Sequence, residues 1–149
     1  MKIITLIENN PDTENRLCFE HGLSMLIEVE EKRILFDTGK SGDFIKNAKT
    51  LGCDLQNLDY LVISHGHYDH SGGFPSMLQE LDKIPTVVVG NTFFKPKYRK
   101  TGENEYKFNG NSFQERDITD HKIKIYKVDN TIEYLTDHII IFGSFSINP

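Results

Sequence analysis

The 149-residue chain is poor in several features that define other protein classes. It has two cysteines, Cys18 and Cys53, too few for a disulfide framework. They have no metal-ligand spacing with each other, and both are read as incidental. No apolar run approaches the roughly 20 residues of a membrane-spanning helix. The opening Met1-Lys2-Ile3-Ile4-Thr5-Leu6-Ile7 lacks a small-residue cleavage site, and Glu8 ends it. It therefore reads as a first strand and not as a secretory leader. Positive charge is also scarce: 17 Lys and Arg stand against 22 Asp and Glu, a net charge of −5. General attraction to nucleic acid or to an anionic membrane is not expected. Together these absences predict a cytoplasmic location. Hydrophobic residues at 38% and charged residues at 26% suit one soluble domain with a real core.

The densest chemistry lies in Ser64-His65-Gly66-His67-Tyr68-Asp69-His70-Ser71-Gly72-Gly73. It follows Tyr60-Leu61-Val62-Ile63, a short run, β-branched at Val62 and Ile63, that reads as an interior strand. In extended backbone, residues i and i+2 point to the same side, so His65 and His67 are placed to grip one cation together. Asp69 and His70 follow where the chain turns into a helix, and they could hold a second cation close by. Imidazole nitrogen with a carboxylate suits zinc and tolerates iron or manganese. Core packing has no use for three histidines and one aspartate within six residues.

Around this stretch the pattern alternates strands and helices. Residues 2–7 read as a strand, and residues 23–36 as a hairpin turning at Glu31-Lys32. Ser41 is a plausible cap for a helix carrying Phe44, Ile45, Ala48 and Leu51, which Gly52 ends. Phe74, Met77, Leu78 and Leu81 form a second amphipathic helix, with Pro75 tolerated in its first turn. Thr86-Val87-Val88-Val89-Gly90 is the next strand. The expected class is therefore α/β, with helices layered on one mixed sheet. Beyond Asn91 the pattern weakens. Residues 104–110 read as an edge hairpin, and 123–128, 134–135 and 138–142 as strands.

The motif His65-x-His67-x-Asp69-His70, entered from Leu-Val-Ile-Ser and left by Ser71-Gly72-Gly73, resembles the signature of the metallo-β-lactamase superfamily. Ile34-Leu35-Phe36-Asp37-Thr38-Gly39 resembles the same family's upstream landmark, and Glu8-Asn9-Asn10 with His21-Gly22-Leu23-Ser24 is similar to one branch. That branch includes archaeal enzymes that make a dihydropterin-linked aminobenzene precursor of a methanopterin-type cofactor. The resemblance implies an αββα sandwich built from two similar halves, of which this chain matches the N-terminal half. It implies one or two zinc-type ions on His65, His67, Asp69 and His70. It gives Asp69 a catalytic part in orienting an activated water, and Asp37 the part of orienting a ligand histidine from behind.

In that family the second half adds another histidine for each metal and a bridging aspartate. Those positions are expected to lie past Pro149. His138 and His121 are alternative third ligands, but both read better as surface histidines. The expectation is a homodimer, or a second polypeptide supplying the other half, acting on a small-molecule substrate. Three functions stay open: a metal-dependent hydrolase, a non-catalytic metal-binding or structural remnant, and a di-iron redox protein. The last is disfavoured, because Tyr68 stands where such proteins often carry Glu. His21 is read as surface or as a neighbour of the site. Lys95, Lys97, Arg99 and Lys100 read as a solvated loop before an anion site, and Phe93, Phe94 and Tyr98 as core before a stacking platform.

Overall fold

A computed structural model describes residues 1–129, 132–137 and 139–142. The elements, in chain order, begin with β1 (Lys2–Ile7), β2 (Ser24–Val29), β3 (Lys32–Phe36), α1 (Asp43–Thr50) and β4 (Tyr60–Ile63). Next come α2 (Tyr68–Ser71), α3 (Phe74–Glu80), β5 (Thr86–Gly90), β6 (Tyr98–Lys100) and β7 (Tyr106–Phe108). The last are α4 (Glu115–Thr119), β8 (Ile125–Val128), β9 (Ile132–Tyr134) and β10 (Ile140–Phe142). None of the described helices is long and apolar enough to cross a membrane.

The main sheet has the order β1-β2-β3-β4-β5-β8. Strands β1 to β3 form an antiparallel meander, and β3, β4, β5 and β8 run parallel. This is the expected mixed sheet with helices. The period of two along each strand divides its side chains between two faces. Leu35, Leu61, Ile63, Val87 and Val89 face α1 and α3, packing with Phe44, Ala48, Phe74 and Met77. Ile34, Val62, Val88 and Val128 face the other way. Burial on both faces explains why β5 reads Val-Val-Val without alternation.

The second face is not bare. Leu135, Ile139 and Ile141 pack against it, so the chain covers part of its own apolar sheet. A cleft of about 520 Å³ remains there, lined in part by Ile27, Phe36, Val62 and Ile139.

Local geometry moves several expected boundaries. The hairpin turns at Glu30-Glu31, both at positive φ (49° and 62°), and Lys32 already pairs with Val29. A two-residue hairpin loop needs left-handed backbone at both positions. Gly42, not Ser41, caps α1, while the Ser41 hydroxyl accepts from the Asp43 N–H at 3.2 Å. The Glu20 carboxylate accepts from the Lys40 and Ser41 amides at 2.8 and 2.9 Å, which holds Ser41 one position early. The expected edge hairpin exists but begins at Tyr98 and forms its own two-stranded sheet. Helix α4 has no strong apolar period; a capping box between Gln114 and Asp117 sets it. His138 and residues 143–149 lie outside the described residues, and with them one proposed third ligand and the start of the last expected strand.

Leu61 sits in the central parallel strand with 0% exposure. Leu61→Ala is expected to cost about 2–5 kcal/mol in urea unfolding, and Lys83→Ala less than about 0.5 kcal/mol.

Candidate metal centre

The site forms at the carboxyl ends of β3 and β4, where parallel strands stop side by side. Immediately after β3, Asp37 adopts φ 58°, a left-handed conformation that a non-glycine residue rarely takes. The turn drops its carboxylate, 0% exposed, under the loop that follows β4. Its backbone N–H donates to the Val62 carbonyl at 2.9 Å. Its oxygens accept from the Ser64 amide at 2.7 Å, the Ser64 hydroxyl at 2.8 Å and His70 Nδ1 at 2.7 Å. A buried carboxylate needs such partners, and here they come from both the strand end and α2.

These bonds settle the histidine tautomers. A carboxylate only accepts, so His70 carries a proton on Nδ1, and in the neutral ring Nε2 is the lone-pair nitrogen. The Ser64 hydroxyl spends its proton on Asp37 and accepts from His65 Nδ1 at 2.9 Å. His65 therefore also presents Nε2. One carboxylate orients two imidazoles, the second through a serine. The His65 ring lies 4.3 Å from the His70 ring and 4.7 Å from the His67 ring, centroid to centroid.

Helix α2 carries Asp69 and His70 and is fixed by the strand ends. The Thr38 N–H donates to the His70 carbonyl at 2.8 Å, and the Ser71 hydroxyl to the His67 carbonyl at 2.7 Å. Gly22, at φ 146°, passes so close that a Cβ there would collide with the Asp69 carbonyl oxygen. Asp69 Oδ2 lies 3.6 Å from His70 Nε2 and 3.3 Å from His21 Nε2. His21 thus reaches the site, held by Asn9 Oδ1 at 3.0 Å from its Nδ1.

Burial and the neighbouring His70 and His67 push the His65 imidazole down to about 4, so it stays neutral in the form that can donate to a metal. His67 is also lowered, by burial and by Lys97 and His70, against the pull of Asp69. His70 moves the other way: burial lowers it, but the hydrogen bond and charge of Asp37 raise it above 6.5.

Sequence alone does not mark Ser64 as a bridge or Lys97 as a neighbour of His67. Lys97 Nζ donates to the carbonyls of Phe93, Lys95 and Thr92 at 2.7, 3.1 and 3.2 Å, and burial lowers its pKa. That corrects the solvated reading for Lys97; Lys95, Arg99 and Lys100 are exposed as expected. Phe93 and Phe94 pack on Phe113 as core, whereas Tyr98 is 60% exposed. His121 is exposed and bonded to its own helix through the Asp117 carbonyl.

The donor chemistry fits a borderline metal ion: neutral imidazoles with oriented nitrogens and one carboxylate. The count is less complete. Among the described residues, no three His, Cys, Asp or Glu side chains already stand together as a metal-holding group. The ligand candidates converge as neighbours without closing a triad.

The site is thus a histidine-rich loop at the ends of parallel strands, braced by a buried aspartate. The sequence model of the metallo-beta-lactamase superfamily matches residues 19–143, and the chain belongs to that superfamily. It is 38% identical over 99 residues to the 7,8-dihydropterin-6-methyl-4-(beta-D-ribofuranosyl)-aminobenzene-5'-phosphate synthase of Methanocaldococcus jannaschii, covering 62% of this chain and 34% of that protein. It is 37% identical over 71 residues to an anaerobic nitric oxide reductase flavorubredoxin of Aliivibrio fischeri, covering 46% of this chain and 14% of that one. The solved structure of a metal-dependent hydrolase of the beta-lactamase superfamily superposes with a TM-score of 0.71 at 28% identity, covering 95% of this chain and 47% of that chain. The chain thus spans about a third of the synthase and about half of the hydrolase.

The opposite shifts of His65 and His70 have opposite signs for stability. Unfolded His65 binds a proton below about 6.5 and folded His65 only near 4, so acidification through that window removes stability. His70 holds its proton more tightly when folded, so its contribution is full below 6.5 and is lost as pH rises past its folded value. Imidazole titration by NMR on metal-free protein should find His65 titrating near pH 4 and His70 above pH 6.5.

Proposed function

We propose that this chain carries the His/Asp half of a metal-dependent hydrolytic site, acting on an ester, amide or phosphoester-type bond of a small molecule. The observation that carries the reading is the Asp37 hub, which occupies Nδ1 of both His65 and His70 and leaves Nε2 as the ligating nitrogen of each. His65, His67, Asp69 and His70 would hold one or two zinc-type ions, with iron or manganese as alternatives. A bound ion of this kind supplies Lewis acidity and an activated water near neutral pH.

The chain's own residues do the rest. Asp37 and Ser64 keep His65 and His70 in the ligating tautomer. Asp69, beside His70 and His21, is the group placed to take or orient a proton of the attacking water. Among the described residues the ligands are gathered as neighbours and not as a triad, and in this reading a second polypeptide supplies the remaining donors. That is either another copy of this chain or a chain carrying the other half of the fold. The apolar cleft over β3, β4 and β5 is the face such a partner would close. Hydrolysis is the activity named for the solved relative, whereas the M. jannaschii relative is named a synthase.

The same incomplete ligand count supports a second reading, a metal-binding or structural module without catalysis. Metal content per chain, measured on the sample whose mass in solution is determined, separates them. About two ions per chain in an assembly larger than one chain is the expected result. His65→Ala with His67→Ala should abolish bound metal, and stoichiometric metal in that double variant would sink the ligand assignment. A metal-loaded assembly inert to esters, lactams and phosphodiesters leaves the non-catalytic module.

A further inference from the structure

The β6–β7 hairpin is joined to the metal loop by backbone, and its register decides which of its side chains look the same way as His67. His67 pairs with Gly110 in an isolated antiparallel bridge. The Tyr68 N–H donates to the Asn109 carbonyl at 3.2 Å, and the Asn109 N–H to the Lys97 carbonyl at 3.0 Å. Directly opposed residues project to one face, and so do residues two apart on a strand. Gly110 therefore shares a face with His67 and with Phe108. Phe108 pairs with Tyr98, and Tyr106 with Lys100, on that same face. Arg99 and Lys107 pair with each other on the reverse.

That face is aromatic and open. Tyr98 is 60% exposed, Tyr106 66% and Phe108 49%, whereas Phe44, Phe74, Phe93 and Phe113 are buried. The Tyr98 and Phe108 rings meet edge to face, 5.6 Å between centroids. Gly110 leaves the space between Phe108 and His67 free of a side chain. Phe108 leans into it: a Cβ on Gly110 would lie 2.7 Å from the ring tip. The Tyr98–Phe108 pair thus lies beside Gly110, whose bridge partner is His67. Three exposed aromatic rings on a short two-stranded ribbon do not stabilise a core, and leaving them in water costs free energy unless something covers them.

Charge narrows what covers them. The strands Tyr98–Lys100 and Tyr106–Phe108 hold Arg99, Lys100 and Lys107, and the turn between them Glu103 and Glu105, so the hairpin leans to positive charge in a chain of net charge −5. Lys100 stands on the aromatic face, whereas the Lys97 ammonium is already held by the Thr92, Phe93 and Lys95 carbonyls. A planar ring finds a stacking surface here, and a negative group on it finds Lys100.

We propose that the β6–β7 hairpin is the recognition face of this site and selects a small substrate with a planar aromatic group carrying negative charge. Tyr98 and Phe108 take the ring and Lys100 the charge, with the bond to be attacked directed toward His67. The inference rests on the hydrolytic reading of the His/Asp loop for its chemistry, but not for the binding itself.

Binding is therefore tested on the metal-free full chain, by NMR titration with phenyl phosphate, cyclohexyl phosphate and benzyl alcohol. Phenyl phosphate should bind about fivefold more tightly than either of the others and should shift the Tyr98 and Phe108 ring signals. Tyr98→Ser and Phe108→Ser, both at exposed positions, should each remove that preference, and Lys100→Gln should erase the advantage over benzyl alcohol. Tyr134→Ser, at a residue 66% exposed elsewhere, should change nothing. Equal binding of phenyl and cyclohexyl phosphate, no binding of phenyl phosphate, or full affinity in folded Tyr98→Ser overturns the proposal. The two readings fail separately. Aryl binding that depends on the hairpin, with no hydrolysis in the metal-loaded assembly, sinks only the hydrolase. Hydrolysis without aryl preference sinks only the hairpin's role.

Discussion

Everything at the site depends on one buried carboxylate. Asp37 has no exposure, sits in a left-handed turn and accepts three hydrogen bonds from two separate parts of the chain. Its position follows from β3 and β4 ending together as parallel neighbours. Its charge is tolerable only because Ser64 and His70 answer it. In answering it they become fixed. The orientation of the candidate ligands is thus set by the need to satisfy a group that does not itself face the site.

The sheet supports this arrangement from one side. Leu35 and Leu61, packed on Phe44 and Phe74, set the height at which β3 and β4 stop. The Thr38 amide and hydroxyl both bond the His70 carbonyl, so α2 cannot shift without breaking contact with the strand ends. Packing, backbone bonding and the buried charge all specify one geometry. That agreement makes a strained residue sustainable at Asp37.

The sequence was legible where physics is local or repetitive. The short β-branched run Tyr60–Ile63 announced an interior strand; that Leu35, Leu61 and Val87 face one way and Ile34, Val62 and Val88 the other came with the structure. Three histidines and an aspartate crowded after β4 announced the loop. Other features needed partners far along the chain. Nothing beside Lys97 says that three carbonyls will enclose its ammonium. The short hairpin from Tyr98 to Phe108 has too few residues for a period to show. The turn at Glu30-Glu31 hides because both residues take a backbone usually left to glycine or asparagine. The Ser41 cap was displaced by Glu20, 21 residues upstream.

The single bridge between His67 and Gly110 has a consequence for how such a protein can diversify. The β6–β7 ribbon belongs to neither the main sheet nor the helical core, and it meets the metal loop through a few backbone contacts. The ligands, by contrast, are braced from the opposite side through Asp37. Residues added to or exchanged in the ribbon leave the sheet register and the brace untouched. The hairpin and the loop that carries His65, His67, Asp69 and His70 are mechanically separable, so one can drift while the other stays constant.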